Sequence, residues 1–184
     1  MKAINKTWLL LGALGLVLVV SPASRAQTNS NNATVNLNAK LSESLTVVAG
    51  PATVNFTPLA ANGPTAGDNP VTITTTWALL KTRGTVKLYA YFASGNALTD
   101  GGGDNIPVAN VTGSVNGGAA TAFTGAQPFG GATGLLVFSQ TLSGAGAWNS
   151  SHGPDTIGMT INTAGLALPA ATYTGVLNVQ AQAL

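Results

Sequence analysis

Residues 71–92 read VTITTTWALLKTRGTVKLYAYF, and this stretch decides the fold. Val71, Ile73, Thr75 and Trp77 alternate with Thr72, Thr74 and Thr76, and then Val86, Leu88, Ala90 and Phe92 alternate with Lys87, Tyr89 and Tyr91. Successive side chains of a strand point to opposite faces, so each run predicts a strand with one apolar face and one polar face. The β-branched threonines suit the pleated, solvated side.

The same period extends outward in both directions. Val35, Leu37, Ala39 and Leu41 alternate with Asn36, Asn38 and Lys40, continue through Leu45 and Val47, and stop at Gly50-Pro51. Shorter strands are expected at Thr53 to Thr57, Val108 to Val115, Leu135 to Leu142 and Thr156 to Asn162, each bounded by Gly, Pro, Asn or Asp. In the last run, Tyr173 to Leu184, the side chains of Leu177, Val179, Ala181 and Ala183 oppose those of Asn178, Gln180 and Gln182. No segment beyond the leader has a capped i, i+3, i+4, i+7 apolar stripe. The expected fold is all-β, an immunoglobulin-like sandwich of two antiparallel sheets with about 7–9 strands, covering residues 33–184.

Of the 184 residues, 45% are apolar and only 7% charged. The net charge of +2 comes from the start of the chain, where Lys2, Lys6 and Arg25 lie. Residues 1–26 have the parts of a secretory signal peptide: basic residues, the apolar run Trp8 to Val20, then Ser21-Pro22 and small residues ending at Ala26. Cleavage after Ala26 fits best, and no later stretch is long and apolar enough to span a membrane. Residues 27–32, QTNSNN, read as a flexible polar start. Beyond them Lys40, Lys81, Arg83 and Lys87 face Glu43, Asp68, Asp100, Asp104 and Asp155, a net charge of −1 with no basic cluster. Nucleic acid is therefore not an expected partner, because phosphate binding needs several Lys or Arg on one face. The chain has no cysteine, so an exported fold must be stabilised by its core alone.

The inventory for catalysis is small. Thiol chemistry and thiolate metal sites are excluded, and the single histidine, His152, lies in Asn149-Ser150-Ser151-His152-Gly153-Pro154-Asp155, which reads as a solvated loop. A triad takes its members from separate rigid elements, which one loop does not supply. Asp68, Asp100, Asp104 and Asp155 are all expected in turns. Asp100-Gly101-Gly102-Gly103-Asp104-Asn105 offers oxygens for Ca²⁺, but three side chains are few for an ion that takes six to eight ligands, and the stretch reads first as a turn. Neither catalytic residues nor a cofactor are expected, and the chain is not read as an enzyme. Tyr89, Tyr91 and Trp148 are candidate surface-contact aromatics, suited to a sugar ring or a protein partner. The opposing expectation is that a loop or a neighbouring subunit covers them.

Two stretches bear on assembly. Lys40 is the only charge from Gln27 to Leu41, and the final strand has none. Edge strands without charge or Pro recruit other chains, so Val35, Leu37, Ala39 and Leu41 are candidates for strand pairing between subunits, or alternatively form the first strand of their own sandwich.

Leu168-Pro169-Ala170-Ala171-Thr172-Tyr173-Thr174-Gly175-Val176-Leu177-Asn178-Val179 resembles the terminal L-P-A-G-T-Y signature of the spore coat protein U and fimbrial-type secreted β-sandwiches. The opening Leu41-Ser42-Glu43-Ser44-Leu45-Thr46-Val47 is similar to their first strand, and Thr74 to Trp77 with Asn105 to Pro107 resemble blocks of a group of uncharacterised exported bacterial proteins. The resemblance implies a surface or pilus subunit exported through the periplasm, with a periplasmic chaperone as a candidate partner and donor strands as the means of assembly. Ala171 stands where the signature has Gly, and the cysteine pair and penultimate aromatic of many such subunits are missing. A secreted binding module for polysaccharide or a surface partner is the alternative expectation.

Overall fold

The computed structural model describes residues 32–184; the expected signal peptide and most of the polar start lie outside the described residues. Two units are distinguished, residues 1–39 and the compact unit Lys40–Leu184. The described part of the first, residues 32–39, carries no regular structure.

The second unit is built from eleven strands: β1 (Ser44–Gly50), β2 (Pro64–Ala66), β3 (Val71–Ala78), β4 (Thr85–Phe92), β5 (Asn96–Thr99), β6 (Asn105–Pro107), β7 (Val111–Val115), β8 (Ala120–Ala122), β9 (Gly134–Thr141), β10 (Asn149–Asn162) and β11 (Leu177–Ala183). One short 3₁₀ turn, Val108–Asn110, leads into β7. The first sheet has the order β1-β3-β10-β7-β8, with β2 also paired to β10; the second has the order β11-β4-β9, and β5 and β6 form a small ribbon. All pairings are antiparallel. The expected all-β two-sheet sandwich is therefore the fold, with more strands than expected because several are only three residues long.

The core lies between the inner faces of the two sheets. Val71, Ile73, Thr75 and Trp77 of β3 and Ile157, Met159 and Ile161 of β10 pack toward Val86, Leu88, Ala90 and Phe92 of β4. These are the residues whose alternation announced the strands. Each fully buried Leu, Ile, Val or Phe contributes about 1.5–3 kcal/mol, and without cysteine this burial is the main source of stability.

Three expectations are corrected. The alternation at Val35–Leu41 forms no strand, and β1 begins at Ser44 instead. Glu43 fixes that starting point: its Oε1 accepts from the Leu80 amide and Arg83 Nε, and its Oε2 meets Arg83 Nη2 at 3.0 Å. The Thr53–Thr57 segment belongs to no strand, since its Asn55 is bound to Asp68 rather than to a neighbouring strand. Asn149–Asp155 is part of β10 rather than a loop; Gly153 and Pro154 form a bulge, after which pairing with β3 resumes at Asp155.

Candidate functional site

At one end of the sandwich the two sheets do not close. A groove of about 750 Å³, lined by both apolar and polar side chains, runs between one rim, residues 51–57, and a second rim, residues 171–177. Its floor is core: Val71, Phe92, Val111, Met159 and Ile161. The inner-face residues Leu177, Val179, Ala181 and Ala183 of β11 are only half-buried, as are Leu45 and Val47 of β1, whereas the inner faces of β3 and β4 are fully covered. Val176 on the second rim is 70% exposed.

Each rim is pinned from behind. On the first, the Asn55 amide donates to Asp68 Oδ1, the Asn55 side-chain amide donates to Asp68 Oδ2, and the Asp68 amide returns a bond to the Asn55 carbonyl, all at 2.9 Å. These bonds, the Asn55 side chain first, hold the Asp68 carboxyl below its ordinary value of 3.8. Val54 lies over Gly67, where even a Cβ would meet Val54 Cγ1 at 2.5 Å. On the second rim, Thr174 exchanges two backbone bonds of 2.9 Å with Thr99 of β5. A Cβ at Gly175 would fall 1.9 Å from the Ala97 carbonyl oxygen, so only glycine lets this rim lie against β5. Tyr173 donates to the Pro169 carbonyl, and partial burial, with Asp104 and Asp100 nearby, raises its phenol above the ordinary range.

The residues expected to act lie elsewhere and are mostly engaged. Tyr91 stacks on Phe129 at 5.8 Å and donates to Gln180; Tyr89 meets the same ring edge-on at 6.0 Å. A loop thus covers these tyrosines. Trp148 is half-buried and donates its indole N–H to the Arg83 carbonyl. His152, expected in a solvated loop, is half-buried on the inner side of β10, stacked on Phe138 at 4.0 Å, with Nδ1 2.8 Å from Asp155. Asp155, expected in a turn, is 2% exposed and also accepts from the Asn116 side chain at 2.9 Å. The half-buried His152 ring and the buried Asp155 carboxylate thus form a polar pair set against the core. In the glycine-rich loop, Asp100 Oδ1 accepts from the amides of Gly102, Gly103 and Asp104, which makes it the organiser of a turn. No cluster of three metal-ligating side chains occurs among the described residues.

Val35, Leu37 and Leu41, the strand-pairing candidates, are 80, 90 and 78% exposed, and Ala39 is exposed as well. The sequence reading missed the groove and its rim residues Val54, Phe56, Tyr173 and Val176. Alternation of Val54 and Phe56 was the available signal, and it reported extended backbone without reporting the absent neighbour. No helix of the described residues is long and apolar enough to cross a membrane. Comparison with family models, with curated proteins and with solved structures gives no match.

Proposed function

We propose that the chain is a non-enzymatic, exported structural subunit of a cell surface or filament, completed by a strand from a second copy. The observation that carries this reading is the pairing of an unfilled groove with an exposed alternating segment on the same polypeptide. The groove rims are seven residues long each, and Val35–Leu41 is a seven-residue run with four apolar side chains on one face. The basic and apolar leader supports export, and the resemblance to fimbrial-type sandwiches supports a surface role.

Seating Val35, Leu37 and Leu41 contributes about 1.5–3 kcal/mol for each side chain. Ordering the backbone costs about 1–2 kcal/mol per residue. Over the seven residues the ordering cost is the larger, so binding depends on backbone hydrogen bonds as well as on apolar contact. Before assembly the open groove is an aggregation hazard, which makes a periplasmic chaperone a suitable temporary partner. The aromatics that would serve polysaccharide are held in internal contacts, so that alternative draws less support.

Size-exclusion chromatography and electron microscopy of the exported chain test the reading. Intact chains are expected to form oligomers or fibres. A variant lacking residues 27–42 is expected to fold, stay monomeric and bind a synthetic peptide of the deleted sequence. An intact chain that remains a stable monomer at high concentration, without fibres, would overturn it.

A further inference from the structure

Resting on the filament reading, we infer that assembled copies associate side by side through β9, the edge strand of the three-stranded sheet, each β9 pairing antiparallel with the β9 of a copy in a neighbouring filament. β9 stands at the end of the order β11-β4-β9 and is paired along its length with β4. On its other side, among the described residues, backbone bonds are made only at its first residue, where Gly134 exchanges two with Gly125. Beyond that point, in an antiparallel edge strand, alternate residues turn their N–H and C=O groups away from the neighbouring strand.

Exposed rows of this kind are normally blunted by charge, Pro or shortness. The other edges follow that rule or are covered. β2, β5, β6 and β8 have at most four residues, and β1 and β11 stand against each other with Cα atoms within 8 Å. The half of β10 that extends past β7 holds Gly153, Pro154 and Asp155. β9 is the exception: its eight residues, GLLVFSQT, include no charge and no Pro, and Leu136 is 48% exposed. Its one guard is the slip in pairing with β4 at Val137, which leaves Phe138–Thr141 as a regular run. So short a pairing is marginal between two free monomers and accumulates only where many copies are held together. A second copy is the occupant because identical uncharged edges are self-complementary about a twofold axis. Lys87 of β4 lies opposite Ser139. Across two β9 strands the Lys87 residues of the two copies would be about 14 Å apart, beyond the Debye length of about 8 Å at physiological ionic strength, so they do not oppose the contact.

Electron microscopy and low-speed sedimentation of fibres of the intact chain provide the test. Parent fibres are expected to lie in bundles that sediment. Ser139→Lys and Thr141→Lys, both at exposed positions of β9, are each expected to give as much fibre as the parent, dispersed singly, with the sedimenting fraction reduced at least about fivefold. Thr76→Lys, which adds the same charge at an exposed position of the other sheet, is expected to leave the bundles intact. Single parent fibres, bundles that survive both β9 substitutions, or bundles that Thr76→Lys disperses as fully overturn this inference while the filament stands. So do β9 variants that melt with the parent and form no fibre, since β9 would then lie in the contact along the filament. An intact chain that stops at small oligomers overturns this inference alone, and one that stays monomeric overturns both.

Discussion

The two long seams of the sandwich are closed by different means, and the inner faces are better covered at one of them than at the other. On the β8 and β9 side, Phe123 is buried and packs edge-on against Phe92 at 5.2 Å. Its carbonyl accepts from the Thr133 hydroxyl, and Gly125 and Gly134 exchange backbone bonds of 2.8 and 2.7 Å beside it. Gly113 leaves space for this packing, since a Cβ there would lie 2.7 Å from Leu135 Cδ2. On the β1 and β11 side the inner-face residues remain half-buried, and at its end a groove lies between the rims 51–57 and 171–177, with Val71, Phe92, Val111, Met159 and Ile161 as its floor. A seam is shut when one large side chain and a few backbone bonds come from the chain itself. Where the chain supplies no such residue, the same architecture leaves a groove.

That contrast can be broken most directly at its two phenylalanines. Phe123→Ala is expected to cost about 3–5 kcal/mol in denaturant unfolding, the range for a fully buried aromatic whose site cannot collapse. Phe56→Ala, on a ring already in contact with water, is expected to cost the monomer about 1–2 kcal/mol and to weaken peptide binding more than it weakens folding. Equal losses in the monomer would mean that the two seams are not different in kind.

Next in size is the polar pair beneath the closed part of the core. Asp155→Ala leaves the Asn116 amide and the His152 ring without their buried acceptor, and is expected to cost about 3 kcal/mol, with peptide affinity unchanged in the folded fraction. Urea titration and peptide binding on the same sample separate the two effects. A variant that loses peptide affinity while keeping its unfolding midpoint would place this pair in the groove machinery, against the geometry.

How far the sequence foretold these regions follows from what buries each one. β3 and β4 were legible because they are central strands whose inner faces are wholly covered, so every second residue had to be apolar. β10 was legible only from Thr156 onward, because the Gly153-Pro154 bulge interrupts the period and hides the fact that His152 and Asp155 continue the same strand. The segment Val35–Leu41 carries an equally regular alternation and forms no strand in its own chain. Alternation specifies which face would be buried and is silent on whether a partner is present. The groove itself was not legible, since it depends on the lateral placement of two rims distant in sequence, each fixed by a local device, Asp68 behind one and Thr99 behind the other.

The smallest expected effect concerns the first of those devices. Because the folded Asp68 carboxyl lies below its ordinary value of 3.8, its bonds to Asn55 stabilise the rim above that pH and are lost as pH falls through the lower, folded value. The melting temperature of Asp68→Ala is therefore expected to sit slightly and constantly below that of the parent from about pH 7 to about pH 5, and the gap to close under more acidic conditions. Amide exchange at Asn55 is expected to rise in the variant while that of β3 and β4 is unmoved, since the rim rests on the core without forming part of it. Should Asp68→Ala instead lower global stability as far as Asp155→Ala does, the rim would be integral to the sandwich, and the open seam would be a feature of the core itself.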